Sequence, residues 1–331
     1  MRHHTFLVVR NAVDKITNLE GVKRLALKLR NWGRWGPDDE LGTVNFITPE
    51  KIVKAARLVK KGKTFALAIP FDSAGPQRPI PGGSRFNPIH LMTRTGTDAA
   101  AGAPSIRPFS RIADDVVILP TQAATHWDAL GHIFYEGRMW NGYDCSLVTS
   151  SGASKNGIEN YKDKLAGRGV LLDVARYKKV KWLEPGYGIT PEDLDGCSTW
   201  EKVAVEGGDF LLIRTGQMRQ VKENGDWGDF AAGDAPGLTI ETAGWLYEKE
   251  VAAVASDTWG LEVRPNATPD CYQPWHEIVI PNMGLSMGEI LNLEELAEDC
   301  DKDKVYEFMF VAPVIPLTGA VASPVNPYAI K

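Results

Sequence analysis

Apolar runs and helical patterns alternate along most of the chain. Two strongly apolar segments bounded by glycines, "GRGVLLDVARY" and "GGDFLLIRTG", predict buried strands. "TIETAGWLYEKEVAAVASDT" predicts a helix followed by a strand, and "LNLEELAEDC" predicts a short helix. The closing "KVYEFMFVAPVIPLTGAVASPV" has strand-like apolar character. Strands mixed with helices throughout indicate an α/β protein with a mixed sheet.

The beginning of the main domain has clear helix boundaries. Thr48 suits the N-cap, Pro49 suits the first helical position, and apolar residues recur at helical spacing up to an end at Gly62. "TFALAIP" then predicts a strand. No linker separates two cores, so we expect an N-terminal arm over residues 1–45 and one catalytic domain over residues 46–331.

Residues 72–110 are rich in Gly, Pro, Ser, Ala and Arg, and we expect a long loop there. Such a loop in a compact protein is usually a lid, a binding loop or a subunit arm. Within it, Arg85 and His90 are candidates for binding a carboxylate or closing over a site. The next segment, "DDVVILPTQAATHWDAL", predicts a buried strand that runs into a group of polar residues.

That polar group contains His126, Asp128 and His132, in a chain with 6 histidines. If the strand continues through it, Gln122, His126 and Asp128 share one face, because alternate strand residues point the same way. Imidazole and carboxylate are the ligands that Zn²⁺ and Mn²⁺ bind. Gly131 would let His132 turn back toward the same face, where its pKa suits proton transfer. The alternative is a set of hydrogen-bonded core or surface residues.

Two distant residues complement this group. His276 lies in "CYQPWHEIVIPNMGLSMGEILNLEEL", which predicts a helix start, a turn at Gly284 and a strand that carries Glu289. A carboxylate inside an apolar stretch should be paired or bound to a metal, since burying it alone is costly. The alternative places His276 on a plain helix and Glu289 on the surface.

Composition narrows the class of protein. Among 331 residues, 37 Lys and Arg face 42 Asp and Glu, a net charge of −5 that argues against nucleic acid as a partner. We expect no membrane span and no signal peptide, since no apolar run is long enough. The 4 cysteines form no CxxC pair, which favours reduced thiols in a cytoplasmic protein.

Two parts of the sequence form one pattern: the motif Gln122-Ala-Ala-Thr125-His126-Trp-Asp128-Ala-Leu-Gly-His132, and the later His276 with Glu289-Ile-Leu-Asn292-Leu293. This pattern resembles the cyclase family that includes bacterial kynurenine formamidase and isatin hydrolase. Further segments recur in the family's order between about residues 105 and 329. The resemblance implies a swivelling β/β/α fold and a hydrolase that depends on a divalent metal, Mn²⁺ or Zn²⁺.

The resemblance also implies residue roles. His126 and Asp128 would bind a first metal, Asp128, His276 and Glu289 a second, and His132 would be the catalytic acid/base. The family's first histidine is Gln122 here, and its glycine and proline are Ala124 and Leu130. We therefore expect one well-held ion on His126, Asp128 and either His276 or Glu289, with Gln122 as an oxygen ligand or a hydrogen-bonding partner of the substrate.

The predicted activity is hydrolysis of a cyclic amide or imide, a formamide or a lactone by a metal-activated water, with His132 as acid/base. A metal-dependent lyase or cyclase and a non-catalytic ligand-binding protein are the alternatives. An aryl or cyclic substrate would fit the surrounding aromatic residues, and the family implies a homodimer or homotetramer. The candidates for substrate contact are Trp127, Phe134, Tyr135, Trp275 and His90.

Overall fold

The structure of the chain is a computed structural model, which describes residues 15–80, 82–104 and 111–331. The described helices are α1 Leu19–Lys28, α2 Pro49–Ala56, α3 Gly96–Ala100, α4 Val174–Tyr177, α5 Pro191–Glu201, α6 Gln217–Asn224, α7 Thr242–Glu248, α8 Pro274–Ile278 and α9 Glu294–Asp303. Short 3₁₀ turns span Gly42–Phe46, Trp140–Gly142, Cys145–Leu147 and Ile158–Tyr161, and a π-helical turn spans Val279–Met283.

The described strands are β1 Thr64–Ala66, β2 Ile89–Arg94, β3 Asp114–Ile118, β4 His126–Asp128, β5 Val148–Thr149, β6 Gly152–Ala153, β7 Ala166–Asp173, β8 Gly188–Ile189, β9 Phe210–Arg214, β10 Gly237–Leu238, β11 Ala253–Ser256, β12 Ser286–Glu289, β13 Glu307–Val311, β14 Ala322–Pro324 and β15 Tyr328–Ile330.

A mixed sheet of nine strands organises the fold, in the order β1-β15-β13-β7-β9-β11-β12-β4-β14. Its central strands β7, β9, β11 and β12 are parallel, and antiparallel strands extend the sheet on both sides. Strands β7 and β9 are almost entirely buried, because helices α2 and α5 pack on β7 and helix α4 packs on β9. The predicted α/β fold with a mixed sheet is confirmed, and it forms a single domain.

Most of the predicted elements are present. The strands in "GRGVLLDVARY" and "GGDFLLIRTG", the helix and strand in residues 239–258 and the helix in "LNLEELAEDC" all form. Helix α2 begins as predicted, with the Thr48 side chain accepting a hydrogen bond from the Lys51 amide, but it ends at Ala56 rather than at Gly62.

Two predictions about the segment before the polar group were wrong. Residues 72–110 are not one long loop, because β2 and α3 form within them. The segment Asp114–Ile118 is a strand but not a buried one. Among the described strands it pairs with β2 alone, and every residue of these two strands is exposed. Apolar content alone therefore did not indicate burial here.

The N-terminal segment packs onto the part of the chain that holds His276. Val22 and Leu25 of α1 join the main apolar core, and α1 contacts α8 and the π-helical turn. The Thr43 hydroxyl donates to the carbonyls of Ala252 and Gly284, at 2.7 and 3.1 Å. The predicted division at residue 45 stays a prediction. None of the helices in the described ranges is long and apolar enough to cross a bilayer.

Candidate metal centre

Strand β4 places the two residues of the His-x-Asp pair on one face of the sheet. It lies between β12 and β14, and its register with β12 sets His126 opposite Glu289 and Trp127 opposite Gly288. Because strand side chains alternate, His126 and Asp128 point to one face and Trp127 to the other. Three residues from two strands distant in sequence are thereby brought together.

His126, Asp128 and Glu289 could hold a metal ion, since one ligand atom from each lies within 4.8 Å of the others. His126 Nε2 lies 3.2 Å from Glu289 Oε2 and 3.5 Å from Asp128 Oδ1. All three side chains are buried. Burial of one imidazole and two carboxylates without a bound cation is costly, which favours a ligand for this site.

The orientation of His126 directs one ring nitrogen to the carboxylates. Its Nδ1 donates to the Ala124 carbonyl at 2.8 Å, which turns Nε2 toward the carboxylates. Neither His126 Nε2 nor Asp128 Oδ1 has a hydrogen-bond partner among the described residues, although both atoms are buried. A backbone carbonyl on the far nitrogen is the usual support of a metal-binding histidine.

His276 joins the group from α8. Its Nε2 lies 3.2 Å from Glu289 Oε1, and its Nδ1 donates to Glu262. We call His126, Asp128, His276 and Glu289 the histidine cluster. Glu262 was not singled out from the sequence, although it lies between the apolar residues Leu261 and Val263. The reasoning applied to Glu289 would have found it.

The charges of the cluster are strongly coupled. Burial favours a neutral His126, but the Asp128 and Glu289 carboxylates outweigh burial and raise its pKa to about 9. For His276, Glu262 and Glu289 outweigh burial and raise the pKa to about 10. The histidines in turn lower the pKa values of Asp128 and Glu289 against the effect of burial. Without an ion, the cluster is therefore a set of imidazolium–carboxylate pairs.

His132 behaves differently from these histidines. Burial lowers its pKa, the nearby Asp128 carboxylate opposes this, and Arg85 lowers the pKa further. A neutral imidazole at pH 7 is able to accept a proton. Its Nδ1 lies 3.4 Å from Gln122 Nε2, and the Thr121 hydroxyl donates to Gln122 Oε1 at 2.9 Å. The structure thus brings Gln122 to His132, and a role of its amide oxygen as a metal ligand stays a prediction.

Most aromatic candidates lie elsewhere. Trp127, Tyr135 and Trp275 belong to the main core. Trp127 points to the sheet face opposite His126, and the Trp275 indole donates to the Thr242 hydroxyl of α7 at 3.1 Å. Phe134 is 42% exposed. His90 lies on the exposed strand β2 and pairs with Asp115 at 2.9 Å. Trp275 contacts His276 edge to face, with the ring centroids 5.7 Å apart, but no ring contact, hydrogen bond or ion pair among the described residues joins the other four candidates to the histidine cluster.

A second apolar cluster adjoins the site instead, and the sequence did not predict it. It contains Ala124 and Ile290, which lie two residues before His126 and directly after Glu289. Its buried members are Ile69, Ala124, Met218, Phe230 and Ile290, and its partly buried members are Phe71, Val221, Trp227 and Trp259. The site therefore has an apolar wall with exposed aromatic surface.

The chain is similar to known proteins in both sequence and fold. The family model described as "Putative cyclase" matches residues 49–263. No curated protein sequence matches the chain. Among solved structures, one described as a novel cyclase is 42% identical, with 92% of this chain and 99% of that chain covered and a TM-score of 0.83.

Two more distant structures share the fold. Isatin hydrolase A from Labrenzia aggregata, bound to benzyl benzoate, is 17% identical, covers 85% of this chain and 97% of its own, and has a TM-score of 0.60. A predicted metal-dependent hydrolase from Bacillus stearothermophilus is 18% identical, covers 81% of this chain and 97% of its own, and has a TM-score of 0.51.

Proposed function

The chain belongs to the cyclase family, and from this premise we propose that it is a metal-dependent hydrolase that opens a cyclic amide or imide, a formamide or a lactone. The observation that carries the proposal is the pair of buried atoms without hydrogen bonds, His126 Nε2 and Asp128 Oδ1. Buried polar atoms are nearly always satisfied, so two such atoms side by side favour a ligand between them.

The donor set fits a divalent ion. His126, Asp128 and Glu289 offer one nitrogen and two carboxylates, which suits Zn²⁺ or Mn²⁺. His276 is placed to serve as a further ligand or to orient Glu289. When bound, such an ion polarises a carbonyl group and lowers the pKa of water toward about 7.

His132 is the proposed acid/base. It lies in electrostatic range of Asp128 and has a lowered pKa, so at neutral pH it accepts the proton of the attacking water. It then delivers that proton to the leaving nitrogen or oxygen. The amide of Gln122 holds the ring from the Nδ1 side.

The predicted bond class is supported by the named hydrolases that share the fold, one of which is an isatin hydrolase. The second apolar cluster suits the hydrocarbon part of a small cyclic or aryl substrate. A homodimer or homotetramer and a cytoplasmic location stay part of the proposal as predicted from the sequence.

Elemental analysis of the purified protein and a panel of formamides, imides, lactams and lactones test the proposal. Wild type should contain about one divalent ion per chain and hydrolyse one class, with products heavier than the substrate by one water. His132→Ala should keep the ion and lose about 10²–10⁴-fold in kcat. Asp128→Ala should lose both ion and activity.

Asp163→Ala removes an exposed carboxylate and serves as the matched control for Asp128→Ala. A product without the added mass of water would favour a lyase. Wild type without a bound ion, or His132→Ala with full turnover of a confirmed substrate, would contradict the proposal.

A further inference from the structure

Arg85 is a half-buried cation with no counterion in the described part of the chain. It lies between β1 and β2, with its guanidinium over the ring of Trp259, 5.1 Å from the ring centroid. Among the described residues, none accepts a hydrogen bond from Arg85 and no carboxylate lies within 4 Å of its side-chain nitrogens. Partial burial of an unpaired charge is unfavourable, so the position favours an anionic ligand.

A continuous set of contacts connects Arg85 to the candidate acid/base. Trp259 Nε1 donates to Gln77 Oε1 at 3.4 Å, and Gln77 Nε2 donates to the Ala123 carbonyl at 2.8 Å. The neighbouring Gln122 amide lies 3.4 Å from His132 Nδ1. Arg85 is also close enough to His132 to contribute to the lowering of its pKa.

Two other arginines lie close to Trp259 and Gln77, and both have hydrogen-bond partners in the protein. Arg264, whose guanidinium lies 5.5 Å from the Trp259 ring centroid, donates to the Ala232 carbonyl at 2.8 Å and to the Tyr272 hydroxyl at 3.0 Å. Arg78 pairs with Asp229 and donates to the Ala231 carbonyl at 3.0 Å. Arg264 Nη1 is buried without a hydrogen bond among the described residues, but Arg264 is fixed by the two bonds of its Nη2, whereas Arg85 has no hydrogen-bond partner there.

We propose that Arg85 binds a carboxylate group of the substrate, with the substrate's hydrocarbon part packed on the second apolar cluster and its scissile carbonyl directed to the histidine cluster. A guanidinium matches a carboxylate with two parallel hydrogen bonds, and the ring of Trp259 keeps the guanidinium plane in place. This inference rests on the proposed hydrolase function and narrows its substrate class to carboxylate-bearing molecules.

Binding of benzoate and of its uncharged analogue benzamide tests the inference by titration calorimetry on the metal-loaded protein. Wild type should bind benzoate at least about tenfold more tightly than benzamide. Arg85→Gln should weaken benzoate binding about tenfold or more and leave benzamide unchanged. Arg85→Lys should retain part of the preference, since it keeps the charge but not the planar fork.

Arg57→Gln is the matched control, because Arg57 is exposed at the end of α2. Coordination of benzoate by the metal alone would survive Arg85→Gln, so equal benzoate affinity in wild type and Arg85→Gln overturns the inference. Equal affinity for benzoate and benzamide, or no binding of either, overturns it as well. None of these results depends on turnover, so failure of the hydrolase proposal would be seen separately, in the substrate panel.

Discussion

Two buried clusters of charged groups lie near the carboxyl ends of the parallel strands, and they differ in how completely their atoms are bonded. The arginine cluster consists of Asp173, Arg214, Asp257 and Glu294. Arg214 donates to Asp173 at 2.8 Å and to both oxygens of Glu294, at 2.8 and 2.7 Å. Asp257 accepts from the Thr215 amide and hydroxyl and from the Gly216 amide.

Every polar side-chain atom of the arginine cluster thus has a protein partner. In the described part of the chain, the histidine cluster instead leaves His126 Nε2 and Asp128 Oδ1 without a hydrogen bond, although both atoms lie in charge contact with each other. Burial and charge are therefore poor indicators of a functional site when taken alone. The unsatisfied atoms distinguish a group built to bind a ligand from one that connects strands.

The largest expected effect comes from neutralising one ligand. Asp128→Asn keeps the shape of the side chain but removes a carboxylate from the candidate metal group. We expect hydrolysis to fall by about 10³-fold or more, because the ion and its charge stabilisation are lost. Parallel measurement of ion content and turnover checks this. If Asp128→Asn kept its full ion content, Asp128 would not be a ligand, and the contrast between the histidine cluster and the arginine cluster would be wrong.

The corresponding change in the arginine cluster should act on stability. Arg214→Met removes the cation of the partly buried Glu294 and leaves the buried Asp173 with Arg176 as its remaining cation, which should cost about 1–3 kcal/mol in the free energy of unfolding. Urea unfolding measures this cost. The folded fraction should bind the same amount of ion as wild type. Loss of the ion from folded Arg214→Met would show that the two clusters are not independent.

The ion affinity of the histidine cluster should depend on pH. The pKa of His126 is raised to about 9 in the ion-free protein, so below pH 9 ion binding must displace its proton. Affinity should therefore rise about tenfold per pH unit between about pH 6 and 8 and level off above pH 9. Calorimetry in buffers of different ionisation enthalpy measures the released proton. Equal affinities at pH 6 and pH 8 would contradict the expectation.

A smaller effect is expected from the residue behind His276. Glu262→Gln removes the charge that accepts from His276 Nδ1 and should lower ion affinity about 10–100-fold. Competition with a chelator measures this change, and the exposed Glu248→Gln serves as a control. If affinity does not change, His276 acts on Glu289 alone and is not a ligand.

The sequence predicted the fold class and most central elements, because strongly apolar segments bounded by glycines mark buried parallel strands. The prediction of a buried strand was wrong for β3, whose apolar residues are exposed, since composition does not reveal which surface a strand contacts. The alternation within His126–Asp128 already indicated that Trp127 faces away. The prediction that Trp127 contacts the substrate did not take this alternation of strand side chains into account.

The candidate site was predictable in part. The spacing of His126 and Asp128 and the buried position of Glu289 were visible in the sequence, whereas their meeting depends on strand pairing between residues more than a hundred positions apart. The apolar wall and the set of contacts from Arg85 through Trp259 and Gln77 depend on loops that only the tertiary structure places together.

Gly288 has a consequence for how variants of this chain should be interpreted. A Cβ atom at position 288 would overlap the Trp127 ring, and the Ala255 side chain closes the other side at 3.2 Å. Any larger residue there must displace the buried Trp127 ring or β12 itself, and a shift of β12 would move Glu289 with it. Such a shift would therefore imitate the loss of a metal ligand while every ligand remained in the sequence. An inventory of ligand residues is thus an incomplete test of whether a related sequence keeps the site.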